Sequence, residues 1–222
     1  MFITASGTGV GKTYVSAALA SALLRTGRRV DVLKPVISGF TTEDFADSDT
    51  AVLLKSLGRQ ATRKTIDAMS PWRFTAPLSP DMAAAQEGRT IDFATLVEFC
   101  RQAIDDSADI TLIEGVGGVM VPLTKTHTVL DWIAELGIPS IVVVGSYLGT
   151  LSHTLTAVAA LHARNIPIHG IIISESPDNS IPLTETANSL SRFLPGLPIH
   201  TLSRAPMTDQ AAANLLEQFA EI

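Results

Sequence analysis

Apolar residues along this chain gather in short runs that alternate with segments of helical period. Phe2-Ile3-Thr4 is the first run, and Val30–Val36, Ile110–Ile113, Ser140–Val144, Gly170–Ile173 and Pro198–Leu202 read as further strands. Between the first two, Tyr14, Val15, Ala18, Leu19, Ala22 and Leu23 recur as one face of a helix. The same spacing predicts helices over Asp92–Asp105, Thr128–Leu136, Leu151–Ala163, Leu183–Phe193 and Asp209–Ala220. Such alternation implies right-handed crossovers and an α/β fold: a mostly parallel, twisted sheet with helices on both faces. No fixed-period repeat and no Pro/Gly/Ser-rich linker divides the chain, so one domain over residues 1–222 is expected. The least regular stretch is Phe40–Gly88. Asp47–Leu57 has a short helical pattern there, and Ser70–Pro80 carries three of the twelve prolines. An excursion of that length between buried strands is expected to serve function.

Composition sharpens this picture in three places. Apolar residues make up 46% and aromatics only 5%, which suits Val/Ile-rich buried strands under Ala/Leu-rich helices. The net charge of −6, with no run of like charge, argues against a nucleic-acid surface, since phosphate backbones require clustered Lys and Arg. No apolar stretch is long enough to span a bilayer, and a strand at residue 2 leaves no room for a signal peptide. A cytoplasmic location without membrane partners is the expectation. Cys100, the single cysteine, shares helical spacing with Phe93, Leu96, Val97 and Ile104, which makes it a core residue rather than a nucleophile.

Candidate chemistry begins where the first strand ends. Ala5-Ser6-Gly7-Thr8-Gly9-Val10-Gly11-Lys12-Thr13 is glycine-rich and opens directly into a helix. Glycines let backbone N–H groups curl around phosphate oxygens, and the helix N-terminus adds its positive dipole end. In such a P-loop Lys12 reaches the β- and γ-phosphates, and the Thr13 hydroxyl ligates Mg²⁺. The usual spacing would place its first glycine at position 6, where this chain has Ser6.

In open parallel sheets ligands lie beyond the carboxyl ends of the strands. The second strand runs into Lys34-Pro35-Val36-Ile37-Ser38-Gly39, and the third into Glu114-Gly115-Val116-Gly117-Gly118. A lysine closing a buried strand calls for an anionic partner. Glu114, an acid after Ile110-Thr111-Leu112-Ile113, has the arrangement of a Walker-B carboxylate that holds Mg²⁺. Asp49 is the candidate second carboxylate, or alternatively a helix cap. Thr128-x-x-Asp131 reads as a capping box, and the five histidines lack metal-ligand spacing.

Taken together, Gly7-Thr8-x-Val10-Gly11-Lys12-Thr13, Lys34-Pro35-Val36-x-Ser38-Gly39, Ser48-Asp49 and Glu114-Gly115-x-Gly117-Gly118 resemble the dethiobiotin synthetase family. Ser79-Pro80, Ala85-Gln86-Glu87-Gly88 and Asp131-Trp132 extend the similarity, which runs from Met1 to about Gly170. The resemblance implies a P-loop NTPase fold, with ATP and Mg²⁺ as cofactors and 7,8-diaminopelargonate and CO₂ or bicarbonate as substrates. It implies that Thr8, Lys12, Lys34 and Ser38 surround a substrate carbamate and the γ-phosphate. Gly9, Val10, Gly11, Lys12, Thr13 and Tyr14, with Glu114, Ser174 and Ser203, would hold the nucleotide. Thr13, Asp49 and Glu114 would hold Mg²⁺, and Gly117 would face the diamine. Gly149 and Ser152 would bind its distal carboxylate from a partner subunit, so a homodimer is implied. The chain departs from the family pattern at Ala5, Ser6 and Gly7 (usually Gly-Thr-Asp), at Gly9 (often Glu), at Ser152 (Asn) and at Ser174-Glu175 (Asn-Asp). Two alternatives stay open on sequence: a related P-loop amidoligase and a partitioning-type ATPase.

Overall fold

The apolar runs supply parallel strands of one main sheet, and its central strands Phe2–Ala5, Ile110–Glu114 and Ser140–Gly145 are almost wholly buried because helices cover both of their faces. A computed structural model describes residues 1–41, 45–105, 108–177 and 181–204. The strands β1 (Phe2–Ala5), β2 (Val30–Leu33), β5 (Ile110–Glu114), β6 (Ser140–Gly145), β7 (Ile168–Ser174) and β8 (Ile199–Leu202) form a six-stranded sheet in the order β2-β5-β1-β6-β7-β8. Every pairing in it is parallel. Successive strand residues point to opposite faces, and the core divides accordingly. Ile3, Leu112, Ile141, Val143 and Ile172 pack under the helices α1 (Lys12–Arg25), α2 (Asp49–Ser56) and α3 (Arg63–Met69). Phe2, Ile113, Val142, Val144, Ile171 and Ile173 face the other side. There they meet α5 (Phe93–Asp105), α6 (Val129–Leu136), α7 (Thr150–Ala163) and α8 (Leu183–Phe193). Phe2 and Trp132 meet edge to face, with centroids 4.9 Å apart. The fold is therefore the α/β class expected from the alternation. The helix expected over Asp209–Ala220 lies outside the described residues.

Val30–Val36 is not one strand, and this corrects the sequence reading. The main sheet is left at Leu33, and Val36–Ser38 (β3) pairs in parallel with Trp72–Phe74 (β4) in a separate two-stranded sheet. Pro35 has no N–H to continue the ladder, and the Lys34 N–H turns aside to the Met69 carbonyl at 3.2 Å. The break leaves Lys34 between the two sheets. The stretch Phe40–Gly88, read as irregular, also holds a turn of 3-10 helix (Phe45–Asp47), α2, α3 and α4 (Pro80–Gln86).

Local chemistry accounts for the helix starts. Ser48 caps α2 by accepting from the Ala51 N–H at 3.2 Å. Asp49 is thus not the cap; its carboxylate is left for other work. Thr128 and Asp131 form the expected capping box of α6, and Asp131 also pairs with Arg164 at 2.8 Å. Cys100 is fully buried, and burial pushes its thiol up to about 12, as suits a core residue.

Candidate active site

The turn from β1 into α1 has the backbone a phosphate cradle needs. Gly9 and Gly11 have φ of +72° and +97°, a region that side chains with a Cβ avoid. Thr8 and Gly9 are exposed at its crest, while Val10 is buried beneath it. The chain after β5 supports the loop from behind. A Cβ on Gly118 would come within 3.1 Å of the Gly7 backbone, and one on Gly117 would stand 3.4 Å from the Thr8 hydroxyl. The Val119 N–H donates to the Ala5 carbonyl at 2.9 Å. Gly117 therefore lies beside Thr8.

Two lysines and two carboxylates converge at this edge of the sheet. Lys34 is buried and its ammonium donates to Glu114 Oε1 at 2.6 Å and to the Gly115 carbonyl at 2.8 Å. Asp49 Oδ2 lies 3.4 Å from the same nitrogen. The Thr13 hydroxyl donates to Glu114 Oε1 at 2.8 Å. Burial alone would lower the Lys34 pKa, but the charges of Glu114 and then Asp49, with hydrogen bonds to both, hold it above the usual lysine value. The Lys12 ammonium, also buried, is drawn down to about 8 by burial and by the Lys34 charge, against the pull of Glu114 and Asp49. Burial opposes ionisation of Asp49, yet Lys34 beside it, hydrogen bonds from Thr13 and Lys34, and the Lys12 charge bring its pKa below the usual carboxylate value.

The donor set suits a hard divalent cation. Glu114 is fully buried, and its second oxygen, Oε2, has no hydrogen-bond partner among the described residues. An unpaired buried carboxylate oxygen is costly unless something cationic or donating reaches it. Among the described residues no three His, Cys, Asp or Glu side chains form a closed metal cage. Two carboxylates and a hydroxyl fit the way Mg²⁺ is held, with phosphate oxygens and water completing its octahedron.

The remaining candidates spread outward from this centre. Ser38 ends β3, half-buried beyond Lys34. Tyr14 donates from its hydroxyl to the Ser203 carbonyl at 2.8 Å, and the Arg204 guanidinium stands over its ring. Arg204 donates its backbone N–H to Glu175 Oε2 at 2.9 Å and its Nε to the Glu175 carbonyl at 2.8 Å. Ser174 is fully buried, with its hydroxyl packed behind Gly11, where a Cβ would meet it at 2.4 Å. Gly149 and Ser152 are exposed at the start of α7 and line a separate cleft of about 630 Å³ with Tyr147, Ile181 and Arg192. The structure thus gathers Thr13, Lys34, Asp49 and Glu114 around one centre, flanked by the loop and Gly117, whereas Gly149 and Ser152 line a cleft that includes none of these residues. Sequence reasoning missed the Gly115 carbonyl as a partner of Lys34 and Gly118 as the support of the loop. The only signal for either was the glycine run itself.

A β1 strand, a glycine-rich turn, Lys12-Thr13 at a helix start and a buried acid on the adjacent strand define a P-loop nucleotide-binding α/β protein. A family model described as an AAA domain matches residues 1–213. The ATP-dependent dethiobiotin synthetase BioD of Acidiphilium cryptum (strain JF-5) is 48% identical over 202 residues, 89% of either chain. That of Methylobacterium nodulans is 47% identical over 197 residues, 86% of this chain and 88% of that one. This chain belongs to the ATP-dependent dethiobiotin synthetase family. The cell division ATPase MinD of Pyrococcus furiosus superposes with a TM-score of 0.56 at 19% identity, covering 99% of this chain and 98% of that chain. The last similarity concerns the fold alone. No helix among the described residues is long and apolar enough to cross a membrane.

Proposed function

We propose that this protein converts 7,8-diaminopelargonate, CO₂ and ATP to dethiobiotin, ADP and phosphate. In this reaction one amine adds to CO₂ and loses a proton, giving a carbamate. A carbamate oxygen attacks the γ-phosphorus and ADP leaves. The second amine then attacks the carbamate carbon, the C–O bond to phosphate breaks, and the cyclic urea closes with loss of a proton. Catalysis is mostly positioning and charge stabilisation, which a few fixed cations and backbone donors supply.

The observation that carries this reading is Lys34, held fully buried at the sheet edge against Glu114 and Asp49 and next to the P-loop. A cation so placed meets both the carbamate and the γ-phosphate. Lys12 and the loop N–H groups from Gly9 to Thr13 hold the phosphates, and Thr8 and Ser38 orient the carbamate. Thr13, Asp49 and Glu114 would hold Mg²⁺, which supplies charge neutralisation on the phosphate oxygens. Gly117 lies against the diamine; Tyr14, Ser174 and Ser203 lie on the nucleoside side. Gly149 and Ser152, at the N-terminal end of α7, bind the distal carboxylate of substrate held by the partner of a homodimer, an arrangement favoured by the helix dipole. The 222 residues act as one domain, in the cytoplasm.

The test is reconstitution with diaminopelargonate, bicarbonate, Mg²⁺ and ATP, with dethiobiotin detected by mass. Product that requires all four supports the reading. A folded protein that forms none refutes it.

A further inference from the structure

Asp49 and Lys34 come from different elements, and one buried hydroxyl pair ties those elements together. Thr50, the residue after Asp49 in α2, is fully buried. Its Oγ1 lies 2.7 Å from Oγ of Ser70, which is also fully buried. Ser70 follows α3 directly, and its neighbour Met69 accepts the Lys34 backbone N–H at 3.2 Å. The Ser70 carbonyl is itself held by the Arg73 guanidinium at 2.6 Å. A path of short contacts thus runs from the backbone of Asp49, through Thr50 and Ser70, to the backbone of Lys34.

The pair contributes little that apolar side chains would not. Around it Leu53, Leu54, Ile66 and Met69 already form a packed cluster. Replacing two buried hydrogen-bonded groups by apolar groups of the same shape is close to neutral for stability, whereas removing one strands the other. What the pair adds is direction, since a hydrogen bond has a preferred distance and angle that constrain the rotation of α2 relative to the end of α3. At the first turn of α2 that rotation sets where the Asp49 carboxylate points.

We propose that Thr50 and Ser70 are positioning residues that hold Asp49 in the cation site and at its 3.4 Å approach to Lys34. This inference rests on the reading that Asp49 helps to hold Mg²⁺. Outer partners of metal ligands carry about 10–100-fold in affinity, and the effect of this pair falls at the lower end because it acts through the backbone.

The experiment uses Mn²⁺ as the probe, titrated into the ADP-bound protein and read by electron paramagnetic resonance of the free ion, alongside urea unfolding. Thr50→Val is expected to weaken Mn²⁺ binding about tenfold and to lower stability, while Thr50→Ser, which keeps the hydroxyl and loses only a buried methyl, keeps Mn²⁺ binding. The double variant Thr50→Val/Ser70→Ala is expected to regain stability and not Mn²⁺ affinity, the split that a merely structural pair would not give. In an Asp49→Asn background, Thr50→Val should change Mn²⁺ binding no further. Wild-type Mn²⁺ affinity in Thr50→Val, or affinity that recovers together with stability in the double variant, overturns the proposal while leaving Asp49 in its role. Unchanged Mn²⁺ binding in Asp49→Asn alone would remove Asp49 from the site and the proposal with it.

Discussion

Lys34 Nζ and Glu114 Oε1, 80 positions apart in sequence, stand 2.6 Å from each other in a region closed to solvent. Such a pair is poor evidence of stability, because both charges lose their hydration. Breaking it from one side is another matter. Lys34→Met is expected to destabilise the fold by about 3–5 kcal/mol, the cost of stranding a buried charge. Lys34→Met/Glu114→Gln should recover much of that loss, since neither partner is then charged. In the folded fraction kcat should drop by about 10²–10³, typical of one preorganised donor. Urea unfolding and steady-state kinetics on the same preparations read both effects; wild-type kcat in Lys34→Met would remove Lys34 from catalysis.

Asp49 differs from Glu114 in being accessible: 44% of its side-chain surface remains exposed, against none for Glu114. Asp49→Asn should therefore fold normally and raise the Mg²⁺ concentration needed for half activity by about tenfold, with kcat recovered at high Mg²⁺. The check is activity against Mg²⁺ at fixed ATP. An unchanged curve would contradict the assignment.

A site shared between subunits has a distinctive signature. Ser152→Glu places a like charge where the distal carboxylate should bind, and Lys34→Met removes the cation at the phosphate end; each alone should be nearly inactive. Equilibrated together, half the dimers are mixed and each mixed dimer holds one intact site, so about one quarter of wild-type activity should return. Failure of the mixture to exceed either variant, with subunit exchange demonstrated, would place Gly149 and Ser152 outside the partner's site.

The α6 cap makes stability depend on acid. Burial acts against ionisation of Asp131, but the Thr128 N–H, Arg164 and the Thr128 hydroxyl together keep its pKa below the usual carboxylate value. A depressed folded pKa gives stability that is complete above the unfolded value of about 3.9 and disappears as pH falls through the lower folded one. From pH 6 to pH 3 the urea midpoint of Asp131→Asn should thus fall less than that of wild type. Parallel curves would mean that the cap carries no proton linkage.

Base recognition should be loose. Ser174, which occupies a position where the family resemblance leads one to expect an amide, has its hydroxyl buried behind Gly11, and Glu175 is engaged by Arg204. One lost polar contact costs about 1–3 kcal/mol, or roughly 10–100-fold. The ratio of kcat/KM for ATP over GTP or CTP is expected to stay below about a thousandfold. A larger ratio would show that other groups read the base fully.

Features that depend on neighbours in sequence were legible without coordinates. The P-loop, its helix, the Thr128–Asp131 box and the buried-helix spacing of Cys100 are all set within a few residues, where backbone geometry and side-chain period act directly. The strand pattern yielded the fold class for the same reason, because runs apolar on both faces can only lie between two layers. What tertiary structure decided is how residues far apart meet. Pro35 is visible in the sequence, but not that the freed Lys34 N–H finds Met69, nor that β3 leaves for a second sheet with β4. Lys34, Asp49 and Glu114 could each be nominated singly at a strand or helix end. Their joining at one centre, with Thr50 and Ser70 locked behind Asp49 and Gly118 pressed against the loop, depends on how separate elements pack. Local periodicity carries no record of such contacts, since each is made only when the layers close on one another.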